Sequence, residues 1–106
     1  MLKVVFQVHM KAGMKPGDFR RHWKEAQGPL AASIPGMRKY VQNHTVATPD
    51  RCQPVCDGLA EVWFDDRETL ERVMATPEAQ AATDDLANFL DVGRVETLIV
   101  DEVESI

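Results

Sequence analysis

At 106 residues with 44% hydrophobic content, the chain has apolar sequence enough for one packed domain and little surplus for a second. Seventeen acidic residues against twelve basic ones leave a net charge of −5, and with the basic residues spread along the chain rather than gathered in a stripe, nucleic acid is not an expected partner. No apolar run approaches the ~18 residues of a membrane span, and strand-like sequence opens the chain in place of a charged leader, so no membrane partner and a cytoplasmic location are expected.

The first element is a strand: Leu2, Val4, Phe6, Val8 and Met10 alternate with Lys3, Val5, Gln7 and His9, the period of two that gives one strongly apolar face. Ala12 to Lys15 forms a turn that delivers Pro16 to the first helical position. The helix that follows runs to Gly28-Pro29 or a few residues beyond. Its stripe at i, i+3, i+4, i+7, i+8 and i+11 is Phe19, His22, Trp23, Ala26, Gln27 and Leu30. Two polar side chains on a core-facing stripe are unusual, because an unpaired buried amide or imidazole costs about 1–3 kcal/mol. A polar pocket behind this helix is therefore expected.

Ile34-Pro35-Gly36 stops the helix, and Met37 to Val46 reads as a second strand with Tyr40, Gln42 and His44 on one side and Lys39, Val41 and Asn43 on the other. Ala47 to Gly58 has no apolar period and is expected to be a long loop. It holds both cysteines, Cys52 and Cys56; their spacing without a second pair gives little zinc signal, and two reduced thiols are the expectation, a regulatory disulfide the alternative. Leu59 to Phe64 is the third strand. Asp65 and Glu68, three apart, resemble a capping box that opens a helix with Leu70, Val73 and Met74 inward. Thr76-Pro77 restarts a second helical stretch with Ala79, Ala82, Leu86 and Phe89 facing in, and Val95 to Val103 closes the chain as strand four.

The order β-α-β-β-α-β, with the second helix split, predicts an α+β, ferredoxin-like domain over 1–106: a four-stranded antiparallel sheet with helices on one face. Strand four offers apolar residues on both sides, Val95, Thr97, Ile99 and Val103 against Leu98 and Val100. Helices cover only one face, so the other is expected to meet a second copy in a homodimer.

Four blocks in order carry a family resemblance: Phe19-Arg-Arg-His-Trp-Lys-Glu25 with Gly28-Pro29-Leu30, Pro35 to His44, Asp57 to Asp65, and Asn88-Phe89. Over nearly its whole length the chain resembles EthD-domain proteins, a family of dimeric α+β barrels similar to muconolactone-type isomerases and to polyketide cyclases, dehydratases and decarboxylases. The resemblance implies a pocket between sheet and helices more than it implies one reaction. Family members commonly carry His-Gly-Pro where this chain has Gln27-Gly28-Pro29. Glutamine orients a substrate by hydrogen bonds but does not exchange protons near neutral pH, so proton chemistry assigned to that position does not transfer.

The acid–base candidates are thus sought on the strands. His44 on strand two and Glu61 on strand three are the expected catalytic pair if their polar sides meet; otherwise they are partly solvated sheet residues or dimer contacts. His22, Gln27, Tyr40, Gln42 and Asn88 are the expected substrate-positioning residues, and Trp23, Trp63 and Phe89 the walls. His22 has a structural alternative, a neutral ring bonded to a backbone carbonyl. The three histidines fall on separate elements without ligand spacing, so neither a metal nor another cofactor is expected. The expected function is a cofactor-independent lyase, cyclase or isomerase acting on a small, apolar, oxygenated molecule. The alternative is a non-catalytic accessory protein that binds a hydrophobic metabolite.

Overall fold

The structure, a computed structural model, describes residues 1–50 and 54–106. Strand β1 (Leu2–Val8) is followed by α1 (Pro16–His22), a π-helical segment (Trp23–Gln27) and α2 (Gly28–Ala32). Then come β2 (Lys39–His44), β3 (Gly58–Phe64), α3 (Arg67–Met74), α4 (Pro77–Asp85), two short 3-10 turns and β4 (Glu96–Asp101). The strands form one sheet in the order β2-β3-β1-β4, and all three pairings are antiparallel. This is the ferredoxin-like arrangement expected from the order of elements.

Alternation along β1 works as its sequence dictates. Val4 and Val8 lie buried under the helices, opposite Val62 and Gly58 of β3, while Lys3, Val5 and Gln7 take the other face. The core has two parts: Val8, Phe19, Trp23, Ala60, Phe89 and Leu90 at one end, Val4, Val62, Phe64, Leu70 and Val73 at the other. Removing each large side chain from water contributes roughly 1.5–3 kcal/mol, so the two clusters anchor both helical layers to the central strands. A turn with Gly36 at φ 92° leads into β2, and a Cβ there would come within 2.6 Å of Val73 Cγ2.

The first helix departs from the regular stripe. Pro29 has no N–H to give the carbonyl of Glu25 and its ring crowds that carbonyl, so the helix widens: the N–H of Gly28 reaches back five residues to Trp23. The extra residue in the turn rotates everything after it. Gln27 and Ala31 are buried, whereas Leu30, expected on the core stripe, is only half-buried. A second correction concerns α3. Its cap is Asp66, whose carboxylate accepts from the N–H of Thr69 at 2.8 Å, and not Asp65, whose carboxylate is gripped by both guanidinium arms of Arg38 at 2.8 and 2.9 Å. Met74, expected to face inward, is half exposed. Thr76 caps α4 as expected, through the N–H of Ala79.

The expected extent of β2 shrinks to Lys39–His44, and that of β4 to Glu96–Asp101. The C-terminal ends of both strands stop where the partner strand begins, His44 opposite Gly58 and Asp101 opposite Leu2. Cys56 is buried; the expectation for its relation to Cys52 lies outside the described residues.

Candidate functional site

Between the helices and the sheet lies a cavity of about 530 Å³. Its floor is the helix-facing side of the sheet and its wall nearest β2 is Trp23, Gln27 and Tyr40, with Phe89 closing the end where the last 3-10 turns return to the sheet. Nearly all of the lining is apolar. The exceptions are Gln27, Tyr40, Thr83, Thr97 and, at the rim, the exposed Glu71. A polar pocket was expected behind the first helix; the structure has an apolar one with a few polar groups set into it.

Gln27 is the only buried polar residue among those described, 7% exposed, and its Oε1 accepts no hydrogen bond. It lies four residues after the buried Trp23, on the face that helical phase predicts for it. Leaving an amide oxygen dry and unpaired costs about 1–3 kcal/mol, a cost a core residue such as leucine would avoid. Tyr40 stands beside it in the wall. Burial pushes its phenol above the ordinary tyrosine value, while hydrogen bonds from Gln42 and Trp23 pull the other way. At neutral pH the hydroxyl therefore keeps its proton and presents it as a donor.

Gln42 ties this wall together. Its Nε2 donates to the Trp23 carbonyl at 2.7 Å and to Tyr40 Oη at 3.1 Å, while its Oε1 lies 2.9 Å from His44 Nε2. The two acceptors fix the amide orientation, so His44 must donate from Nε2 and carry its lone pair on Nδ1. The imidazole also packs on Trp23, with ring centroids 4.4 Å apart. His44 lies outside the cavity, in an open groove lined by Arg20, Arg21, Lys24, Glu25, Gln42 and Val46. Partial burial and then the charges of Arg20 and Lys24 hold it below the ordinary histidine value.

The expected meeting of His44 with Glu61 does not occur. His44 pairs with Gly58 and faces the helices, whereas Glu61 pairs with Val41 and faces away. An offset of three residues along β3 from Gly58 to Glu61 is an odd number, and odd steps cross the sheet. Glu61 is held instead by Lys3 Nζ at 2.8 Å and Asn43 Nδ2 at 2.8 Å, and these bonds keep its carboxyl below the usual range. Trp63 follows Glu61 onto the same face for the same reason. It donates from Nε1 to Glu102 at 2.9 Å, with Lys3 and Lys39 near its ring, and so is no wall of the cavity.

His22 and Asn88 also lie off the cavity lining. The imidazole Nε2 is 3.0 Å from both oxygens of Asp85, and Asn88 Nδ2 donates to the same carboxylate at 2.9 Å. The His22 ring lies against Phe89 at 4.9 Å, outside the wall that Phe89 forms. Of the expected positioning and wall residues, Trp23, Gln27, Tyr40 and Phe89 line the cavity, Gln42 supports them, and His22, Trp63 and Asn88 do not. Sequence reasoning missed Thr83 and Thr97. Thr97 had a signal, since period two along β4 places it on the same side as Ile99 and opposite Phe6. Among the described residues no three histidine, cysteine or acidic side chains converge, and no helix is long and apolar enough to cross a membrane.

The model of the EthD domain matches residues 11–93, which takes in the π turn, β2, β3 and the split helix. The chain belongs to the EthD-domain family. An uncharacterised 11.0-kDa protein of Rhodococcus erythropolis, from the thcB-thcC intergenic region, is 30% identical over 87 residues, 82% of each chain. A crystal structure of an ethyl tert-butyl ether D (EthD) family protein from Bacillus halodurans superposes with a TM-score of 0.80 at 24% identity, over 97% of this chain and 100% of that one. The same fold appears in a dimeric Bacteroides fragilis protein of unknown function, at a TM-score of 0.72 and 17% identity over 95% of both chains. It appears again in SnoaB, a cofactor-independent oxygenase of Streptomyces nogalater, at 0.67 and 13% over 99% of this chain and 95% of that one.

Proposed function

We propose that this EthD-domain chain binds a small, largely apolar molecule with one oxygen function in the cavity between helices and sheet. The observation that carries this reading is Gln27: a buried amide oxygen without a partner, in the wall of an otherwise apolar cavity. A ligand hydroxyl would satisfy it, and a ligand carbonyl would take the proton that Tyr40 presents. The apolar body of the ligand would rest on Trp23 and Phe89. Ligand pockets of this kind, mostly apolar with a few placed polar groups, are typical of small-molecule sites. The reading corresponds to an accessory protein that holds a hydrophobic metabolite.

A second reading, a lyase, cyclase or isomerase that uses no cofactor, is favoured by the Tyr40 hydroxyl. Accepting bonds from Gln42 and Trp23 makes the phenol a better donor, and such a donor stabilises an enolate or other oxyanion as charge develops on a bound carbonyl. SnoaB, on the same fold, is described as working without a cofactor. Against this reading, no histidine lines the cavity, and its only ionisable side chains are Tyr40 and, at the rim, Glu71.

Both readings predict the same binding experiment. In a Trp63→Phe background, Trp23 is the sole tryptophan and reports on its own cavity. Acetophenone is expected to bind more tightly than ethylbenzene, and Tyr40→Phe to erase the difference, a loss of about fivefold to tenfold for one hydrogen bond. Equal binding of the two compounds by the parent protein would remove Tyr40 from the site. Turnover of a bound ketone, followed by exchange of its α-protons in deuterated water, separates the second reading from the first.

We further infer a homodimer closed through the open sheet face. Val5, Val41, Leu98 and Val100 lie on it between charged residues, Leu98 being 62% exposed, and a neighbour of the same fold is described as dimeric. Sedimentation showing a stable monomer at micromolar concentration would contradict this.

A further inference from the structure

The basic residues of this acidic chain are not evenly placed once it folds. Arg20, Arg21 and Lys24 on the first helix gather over the end of β2 around His44, with Glu25 the only carboxylate among the described residues of the groove. We propose that this groove is a second binding site, taking an anionic group such as a carboxylate or a sulfate- or phosphate-like oxyanion.

Three features build it. The Arg20 guanidinium reaches the Thr45 carbonyl at 3.4 Å through Nη2, which holds it over the strand end with its other N–H groups free to bind an oxyanion. Lys24 makes no ion pair among the described residues, and Arg21 has only an exposed contact with Asp18 at 3.6 Å. Fixed by Gln42, His44 keeps its lone pair on Nδ1, so one proton turns that nitrogen into a further donor. The charged and titratable groups around His44 are thus Arg20, Arg21, Lys24 and Glu25 lining the groove from the helix, of which Arg20 and Lys24 act on its charge, and, through Gln42, Tyr40 from its own strand.

Empty, the groove disfavours a proton on His44, first through partial burial and then because the Arg20 and Lys24 charges repel it. An anion seated there cancels that repulsion and gains the Nδ1–H donor, so anion binding and proton uptake reinforce one another. The site shares the Trp23–Gln42–Tyr40 wall with the cavity but does not depend on the cavity being occupied, so it stands apart from the reading proposed above.

Nuclear magnetic resonance of the labelled protein reads this through the His44 ring. Sulfate, whose charge is constant across the range, is expected to raise the His44 titration midpoint by about half a pH unit over chloride at equal ionic strength. Arg20→Gln with Lys24→Gln, both exposed positions, is expected to abolish the shift. A second arm uses 4-acetylbenzoate against acetophenone. A shift with sulfate marks a site for free anions, and a shift with 4-acetylbenzoate alone marks a site for the charged end of a cavity ligand; either supports the proposal. Sulfate and 4-acetylbenzoate both behaving as chloride, or a shift that survives the double substitution, overturns it.

Discussion

The two faces of the sheet use the same strands for opposite ends. On the helix face, polar side chains come from β2, as Tyr40, Gln42 and His44, and from β4, as Thr97, while between them β3 and β1 present apolar residues. On the open face the charges answer each other: Lys3 Nζ sits 2.8 Å from Glu61 and 3.0 Å from Glu102, and Glu102 also takes the Trp63 indole proton. Between the helices and the sheet one buried polar atom, Gln27 Oε1, is left unpaired, while the open face has satisfied its own charges. The contrast teaches that the charges of the open face are explained by their own pairing, whereas the buried amide of Gln27 is not explained by packing alone.

The sharpest way to break the contrast is to push on the helix face where it has no slack. A Cβ at Gly58 would lie 2.3 and 2.5 Å from the Trp23 ring and 2.9 Å from the Asn43 carbonyl, so either the cavity wall or the strand must move. Gly58→Ala is expected to cost about 3 kcal/mol or more in urea denaturation, and to weaken acetophenone binding in whatever remains folded. A cost under about 1 kcal/mol would mean that Trp23 does not seal against β3 as described. Gln27→Leu tests the same face in the other direction. Removing an unpaired amide is expected to stabilise the ligand-free protein by about 1 kcal/mol while costing it the preference for 1-phenylethanol over ethylbenzene. Destabilisation with binding intact would place Gln27 in the core and not in the site.

How far the sequence carried depends on whether local period or long-range pairing decided each feature. The strands, the split at Thr76-Pro77 and the burial of Phe19, Trp23, Gln27 and Phe89 follow from alternation, capping chemistry and helical phase, all of which are local. The π turn is also local, yet it breaks the phase it interrupts, which is why Ala31 took the place expected for Leu30. Register is different. Whether His44 meets Glu61 depends on which residue of β3 lies opposite His44, and nothing within either strand states that. The same gap misplaced Trp63. His22 found Asp85, 63 residues away, through helix packing that no spacing announces, whereas Asn88 reaches the same carboxylate from only 3 residues along the chain.

The mildest prediction sharpens the contrast through pH, because the two faces titrate in separate windows. His44 is held below its ordinary 6.5, so the unfolded chain takes up a proton before the folded one does, and stability is lost as pH falls from that value through the folded one. Glu61 is held below its ordinary 4.5 by the Lys3 and Asn43 bonds, so its contribution is intact above that value and is lost as pH falls through its folded one. His44→Asn should flatten the upper slope of urea midpoint against pH and leave the lower one, and Glu61→Gln should do the reverse. The lower step is the smaller, below about 1 kcal/mol, because the Lys3 pair stays open to screening by solvent and salt. Pairing of the open faces would change that, since a second copy would shield Glu61 and Lys3. The lower step should then grow with protein concentration while the His44 step does not, and two steps that both ignore concentration would leave the open face unpaired in solution.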